Sequence, residues 1–371
     1  MGGKINIAVT GAEGFVGKNL CVRLSELDDI EHSPLTRETT AEAYQSAIDH
    51  ADLVIHLAGV NRPDNPADYS GNVDAASNLA IAIERSGRSM GVVFSSSVKA
   101  VDDTPYGRSK KQAEDQFLSL AQEQGVDTLI MRLPNVFGKW CKPNYNSAVA
   151  TFCHNIARGL PVQVNDPLAP LSLIYIDDLV DQLVNIIREK NLKTGFYEVD
   201  EVFDTTVGAV ADLIQKFHDQ RKACSIDNVG VGLTRALYAT YISYLPPVDF
   251  SYELVSHGDP RGSFSEVVRT PEAGQFSYFN AHPGVTRGGH YHHTKSEKFL
   301  VVHGRALFKF RHILTDAVHQ IETSADKPVV VDTIPGWSHD ITNIGDDILV
   351  CLLWANELFD RERPDTIASK V

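Results

Sequence analysis

The feature that most constrains the fold is a change of apolar rhythm about two-thirds of the way along the chain. Up to about residue 220, short apolar runs alternate with helical patterns. "INIAVTG" leads to "GKNLCVRLSEL", "ADLVIHLAG" to "NVDAASNLAIAIERS", and "GVVFSSS" to "SKKQAEDQFLSLAQEQ" and then "DTLIMRL". Strands alternating with helices of this length specify βαβ units and a parallel sheet covered on both faces. The stretch "SYLPPVDFSYELVSHGDPRG" interrupts the rhythm with prolines, glycines and polar residues. Beyond it come only short strands: "SFSEVVRT", "FSYFNA", "EKFLVV", "ALFKFRHIL", "PVVVDTI" and "DILVCLLWA". That second pattern is an antiparallel sandwich or barrel. The expectation is an α/β domain over residues 1–245 followed by an all-β domain over 246–371.

Composition narrows the function. With 371 residues and 43% hydrophobic content the chain can bury two cores. A net charge of −14 argues against a nucleic-acid partner, which needs a basic face. The five cysteines are scattered, with no CxxC, and fit free thiols in a reducing cytosol. No apolar run reaches the ~18 residues of a membrane span, and no leader pattern opens the chain. A cytoplasmic protein is expected.

Two motifs in the first half carry chemistry. Gly11-Ala-Glu-Gly14-Phe-Val-Gly17 lies directly between the first apolar strand and an amphipathic helix. There Gly11 makes the tight turn, Gly14 lets backbone approach a pyrophosphate, and Gly17 lets the helix pack on the strand. A plain strand-to-helix turn is the bland alternative. Further on, Tyr106-x3-Lys110 opens a helix after the serine run Ser95–Ser97. Spacing of four puts phenol and ammonium on one helix face, where the ammonium would lower the phenol's pKa and make it a proton donor or acceptor near neutrality. YxxxK alone is common and usually means nothing; the order glycine turn, serine run, YxxxK is much rarer.

With "HLAG", "RLPNVFG" and "LIYIDDLV" added, residues 1–240 resemble the extended short-chain dehydrogenase/reductases acting on nucleotide sugars. The resemblance implies a Rossmann domain binding NAD(P), with a small sugar-binding lobe. It makes Tyr106 the proton donor and gives Lys110 the nicotinamide ribose. Ser97 would polarise the substrate oxygen, with Ser96 as a fallback because three consecutive serines leave the register open. Gly11, Gly14, Phe15, Val16, Gly17, Leu57, Ala58 and Gly59 would line the cofactor, and Asn135 would contact the nucleotide sugar. Only eight residues separate Ser97 from Tyr106, so this loop is shorter than in many relatives. The presumed second strand ends in "HSPLTRE", without the carboxylate that NAD enzymes place on the ribose 2′-hydroxyl. Arg37 stands there instead, and a guanidinium suits a 2′-phosphate. NADPH is therefore expected over NADH; the competing reading makes Arg37 a solvated surface charge.

The second half contains "RGGHYHHTKSEKFLVVHG". His290 and His292 share one face of a strand. Glu297 follows after four intervening residues and Gly304 after six more; Pro335, Gly336, His339 and Asn343 come afterwards. HxH…E…G followed by PG…H…N resembles the paired motifs of the cupin barrel. Three imidazoles and a carboxylate make a site for one borderline divalent metal, zinc first, with nickel, iron or manganese open. His293, His303 and His312 are assigned no role.

"DPRGSFSE" and "VTRGGHY" resemble the deoxy-sugar 3,5-epimerase branch of the cupins, suggesting Arg261 and Arg287 as substrate contacts. That branch is metal-free and uses a histidine after an "RG" pair as its base, so His290 has two candidate roles, of which ligand is favoured. Over its whole length the chain is similar to the bifunctional enzymes of the UDP-N-acetyl-L-fucosamine pathway. The similarity implies a cupin that epimerises C3 of a UDP-2-acetamido-2,6-dideoxy-4-ketohexose. A reductase domain would then convert the C4 ketone to the L-talo product. It also implies a homodimer working between an upstream dehydratase/5-epimerase and a downstream 2-epimerase. Two other readings stay open: a simple 4-ketosugar reductase whose cupin only binds sugar or dimerises, and a redox-neutral nucleotide-sugar epimerase.

Overall fold

In the computed structural model residues 4–189, 192–272, 274–293, 295–362 and 364–371 are described. Two units emerge: Met1–Ile214 with Ala236–Leu245, and Gln215–Arg235 with Pro246–Val371.

The first unit begins β1 (Ile5–Thr10), α1 (Phe15–Ser25), β2 (Ile30–Leu35), α2 (Ala41–His50), β3 (Leu53–His56), α3 (Ser70–Ser86), β4 (Gly91–Ser97), α4 (Pro105–Gln124) and β5 (Asp127–Leu133). It continues through β6 (Asn135–Phe137), α5 (Ala148–Ala157), β7 (Pro170–Tyr175), α6 (Ile176–Arg188), β8 (Gly195–Tyr197) and β9 (Val202–Thr206); α7 (Val207–Lys222) and α8 (Gly232–Ser243) follow. The main sheet is parallel in the order β2-β1-β3-β4-β5-β8, and β6, β7 and β9 form a smaller sheet. Strand order reverses on either side of β1, which places a ligand crevice outside the carboxyl ends of β1 and β3. Pro34 sits in β2, an edge strand, where a residue without an N–H is tolerated. The helix ends are signalled locally. Thr104 caps α4 by accepting from the Gly107 N–H, Pro105 follows at the first turn, and Gly125 closes the helix at φ +66. Leu79, Val92, Phe94 and Phe117 fill one side of the sheet.

The strands of the second unit pair antiparallel. Its strands are β10 (Ser256–Asp259), β11 (Gly262–Thr270), β12 (Gly274–Ala281), β13 (Thr286–Tyr291), β14 (Glu297–His303) and β15 (Arg305–His312). Then come β16 (Val318–Ser324), β17 (Val330–Asp332), β18 (Trp337–Asn343), β19 (Leu349–Ala355) and β20 (Ile367–Ala368). They form two sheets, β10-β11-β12-β19-β14-β17 and β16-β15-β18-β13-β20. Phe279, Phe299, Val301 and Cys351 from the first meet Phe308, Phe310 and Ile341 from the second in one core, the cupin arrangement. Residues 215–235, which the sequence pattern leaves with the first half, group with this unit. The reason is backbone pairing: the Arg269 N–H donates to the Cys224 carbonyl and the Ile226 N–H to the Arg269 carbonyl, both at 2.9 Å. Composition carries no trace of that pairing.

Candidate active sites

In the first unit the glycine turn is dictated by space. Gly11 has φ +69, and a Cβ there would lie 2.6 Å from the Ala58 nitrogen. A Cβ on Gly17 would lie 2.2 Å from the Gly11 carbonyl oxygen, so α1 can rest on the turn only through glycine. Gly14 is the N-cap residue of α1, and Phe15, Val16 and Gly17 open the helix without an acidic residue in its first turn. Their backbone N–H groups, with the positive end of the helix dipole, suit a diphosphate. Leu57, Ala58 and Gly59 leave the end of β3 on the same crevice. Arg37 is exposed in the turn after β2, and no ion pair among the described residues holds it.

Alternation along β4 separates the serines. Ser96 is buried and donates to Glu114 Oε1 at 2.6 Å, while Arg132 clasps the same fully buried carboxylate at 2.9 and 2.7 Å. Ser97 points the other way, its hydroxyl accepting from the Lys99 N–H. Burial pushes the Tyr106 phenol above its ordinary value, and a hydrogen bond with Ser97 opposes the rise. The expected depression by Lys110 is absent. That ammonium donates instead to the Ser95 carbonyl at 2.7 Å and lies 4.5 Å from the Phe94 ring centre. Burial lowers the pKa of Lys110 to about 8 against the opposing charge of Glu114. Asn61, which the motif reading passed over, accepts from the Tyr106 hydroxyl at 3.5 Å. Asn135 is exposed at the start of β6 and donates to the Ser172 carbonyl at 3.2 Å.

In the second unit His290, His292, Glu297 and His339 converge, with one donor atom from each lying within 4.8 Å of the others. The convergence depends on a bulge. Arg287 pairs with Ile341 and Gly288 with Asp340, but His290 pairs with His339, leaving Gly289 as the extra residue. In a regular strand residues 287 and 290 would face opposite sides; the bulge gives them one side. Gly288 and Gly289 adopt φ +97 and +79, which only glycine takes without strain.

Glu297 Oε2 lies 3.2 Å from His292 Nε2 and 3.5 Å from His339 Nε2, while Lys295 Nζ stands 3.3 Å from Oε1. Burial would raise the Glu297 carboxyl, but His292, His339 and Lys295 together hold it well below the usual range. Burial, then the neighbouring imidazoles, lowers His290 to about 4, so its ring is neutral. Both ring nitrogens of His339 are buried without a hydrogen-bond partner. His292 Nδ1 bonds the Asp365 carbonyl, which fixes the tautomer and frees Nε2. A buried imidazole whose ring nitrogens make no hydrogen bond, in a three-imidazole, one-carboxylate set, fits a divalent cation of borderline hardness. Asp365 also accepts from the His293 and Lys295 N–H groups at 2.9 and 2.8 Å. It arrives from about 70 residues away, and neither it nor Lys295 left a local signal in the sequence.

A cavity of about 240 Å³ opens beside this cluster, lined in part by His290, Glu297, Lys295, Gln275 and Phe359. Arg261 and Arg287 are not among its lining residues: Arg261 is tied to Asp259 at 2.6 Å, and Arg287 donates to the Asn280 carbonyl over the Phe279 ring. His293 and His303 are exposed, and His312 Nδ1 accepts from the turn after β15. No helix among the described residues is long and apolar enough to cross a membrane.

Residues 7–199 match the NAD dependent epimerase/dehydratase family, and residues 257–367 match the polysaccharide biosynthesis C-terminal domain. The chain is 49% identical over 368 residues to the UDP-2-acetamido-2,6-beta-L-arabino-hexul-4-ose reductase of Pseudomonas aeruginosa, covering 99% of each chain. It superposes on the capsular polysaccharide assembling protein CapF from Staphylococcus aureus with a TM-score of 0.92 at 43% identity, covering 99% of this chain and 100% of that one. The UDP-N-acetylglucosamine 4-epimerase from Bacillus cereus shares the fold of the first unit more distantly, at 19% identity and a TM-score of 0.51 over 58% of this chain and 82% of that one. The chain belongs to the NAD dependent epimerase/dehydratase family, its extended short-chain dehydrogenase/reductase domain joined to a cupin of the polysaccharide biosynthesis C-terminal class.

Proposed function

We propose that the chain is a bifunctional nucleotide-sugar enzyme that epimerises C3 of a UDP-2-acetamido-2,6-dideoxy-4-ketohexose and then reduces the C4 ketone, giving UDP-2-acetamido-2,6-dideoxy-L-talose. The observation that carries this reading is the four-residue cluster beside a cavity, in a chain that also holds Ser97, Tyr106 and Lys110 beside a dinucleotide crevice. The name of the Pseudomonas relative supports the ketone as substrate and reduction as reaction.

At the first site NADPH, when bound, supplies the hydride for C4. Tyr106 gives its phenolic proton to the C4 oxygen, and Ser97 hydrogen-bonds that oxygen and the phenol. Lys110, whose ammonium donates to the Ser95 carbonyl, would bind the cofactor ribose. Arg37 takes the 2′-phosphate and Asn135 the nucleotide sugar. At the second site His290, His292, Glu297 and His339 hold the divalent cation, zinc by preference, which supplies Lewis-acid polarisation of the ketone and so acidifies C3–H. Arg261 and Arg287 lie outside the cavity lining, and their contact with substrate would be to the nucleotide. The chain works in the cytoplasm as a homodimer. A dehydratase/5-epimerase makes its ketone and a 2-epimerase consumes its product.

The deciding experiment supplies the 4-keto sugar to the full chain in D₂O, with and without NADPH, and identifies products by NMR. The two-site reading expects deuterium at C3 without cofactor and the L-talo sugar with it. NADPH oxidation without C3 exchange would leave a simple reductase whose cupin binds or dimerises. Inversion at C4 without net NADPH consumption would leave a redox-neutral epimerase.

A further inference from the structure

The cavity beside the histidine cluster contains a carboxylate that the metal set does not use. Glu357 lines it, half-buried, together with His290, Lys295, Glu297, Ser277 and Thr366. No ion pair or hydrogen bond among the described residues engages the Glu357 side chain. Its position is nevertheless fixed. Asn356 exchanges two bonds with Ser296, through its N–H to the Ser296 carbonyl at 3.1 Å and through Oδ1 from the Ser296 N–H at 2.9 Å. Two residues after Glu357, the Phe359 N–H reaches Gln275 Oε1 at 3.4 Å. The backbone that carries Glu357 is thus tethered on both sides, at the wall of a cavity of about 240 Å³. That is less than the roughly 300–1,000 Å³ of sites that swallow a whole ligand, and it suits one sugar ring with the nucleotide outside.

We propose that Glu357 is the base that removes the C3 proton in the epimerisation. The inference rests on the function proposed above. Abstraction of a proton next to a ketone needs a base at the carbon and positive charge near the oxygen. Four titratable side chains line the cavity: His290, Lys295, Glu297 and Glu357. His290 and Glu297 have their donor atoms turned into the metal cluster, and Lys295 is a cation paired with Glu297 at 3.3 Å. Glu357 is the one that remains free to accept a proton. In the step, the C3–H bond breaks and its proton passes to a Glu357 oxygen. The bonding pair forms the C3–C4 double bond, and the carbonyl π pair moves onto the C4 oxygen, whose charge the Lys295 ammonium accompanies. Reprotonation of C3 from the opposite face by solvent restores the ketone with inverted configuration, and Glu357 returns its proton to water. No oxidation or reduction occurs.

The test uses the full chain without NADPH, incubated with the 4-keto sugar in D₂O, with deuterium at C3 followed by NMR. Glu357→Gln should slow exchange by about 10²–10⁴-fold, the range of a lost general base, with metal content and melting temperature as in the wild type. Glu357→Ala should be equally slow, and added formate or acetate should restore exchange in a concentration-dependent way, which repair of a merely structural defect would not do. Exchange in Glu357→Gln within threefold of wild type overturns the assignment. So does a slow Glu357→Ala protein that no small carboxylate rescues. If the wild type itself shows no exchange, the C3-epimerase reading fails first and takes this role with it.

Discussion

His290 and His339 face each other across β13 and β18 with ring centres 4.7 Å apart, and the bulge at Gly289 is what makes them partners. One extra residue puts His290 on the face that already carries Arg287 and aims both toward the barrel interior. The convergence of the four side chains is therefore a property of backbone register as much as of the residues themselves. Gly288→Ala tests this. Its Cβ would sit 2.9 Å from the His339 carbonyl oxygen and 3.0 Å from the Asp340 Cα at φ +97, whereas a Cβ on Gly289 meets nothing within 4 Å. Gly288→Ala should cost about 1–3 kcal/mol from backbone strain alone, more once His339 is displaced, and should lower bound metal measured by elemental analysis. Gly289→Ala bears the strain of φ +79 but no clash, and should retain more metal than Gly288→Ala. Equal metal content in both variants would detach the site from the bulge.

The serine register gives a second test. Ser96 and Ser97 are neighbours with opposite work. Ser96→Ala removes one donor from the buried Glu114 carboxylate and should cost about 1–3 kcal/mol of stability, read by urea denaturation, with little change in kcat. Ser97→Ala loses the hydrogen bond from the Lys99 N–H, should cost about 0.5–2 kcal/mol, and should lower the rate of ketone reduction. If Ser96→Ala is the slower reductase, the roles are exchanged.

Much of this was legible in the sequence because it is local. The glycine turn, the helix caps at Thr104 and Gly125, and the HxH face follow from short-range sterics and period. The two fold classes follow from the switch in apolar rhythm. What could not be read is non-local. Glu114 is held by Arg132 from the next strand, Asp365 reaches back about 70 residues to His292 and Lys295, and residues 224–226 pair with Arg269 about 45 residues away within the second unit. The phenol–ammonium pair shows a different limit. Spacing put Tyr106 and Lys110 on one face, but spacing carries no information about burial, and burial sets both of their pKa values.

The proposed choice of NADPH is tested at Arg37. The guanidinium is exposed after the edge strand β2. Arg37→Ala should weaken NADPH by about 1.5–3 kcal/mol, the worth of a charge-assisted hydrogen bond, and leave NADH nearly unchanged. Calorimetric titration of both cofactors measures this. An equal loss for the two would return Arg37 to the solvated surface.

Lys110 predicts a dependence of stability on pH. Burial lowers its pKa from 10.5 to about 8 in the folded, cofactor-free chain. Below pH 8 the lysine is protonated in both states, and the fold bears the cost of a buried ammonium. Between about pH 8 and 10.5 the unfolded chain binds more protons than the native one at this site, so the contribution of Lys110 to stability rises with pH. Above 10.5 the penalty is gone. Its full size is about 3 kcal/mol, the free energy of lowering this ammonium from 10.5 to about 8. Lys110→Met removes the charge while keeping the apolar stem against Phe94. The variant should be more stable than wild type at pH 7 by up to that amount, with the difference shrinking toward pH 10. Urea unfolding of both proteins at the two pH values, without cofactor, makes the comparison, and common titrations of other groups cancel in the difference. A gap that stays constant from pH 7 to 10 would mean that Lys110 keeps its ordinary pKa. The variant should also be a poor reductase despite its stability. The buried ammonium that costs stability donates to the Ser95 carbonyl at 2.7 Å, and its loss tests the proposed ribose contact.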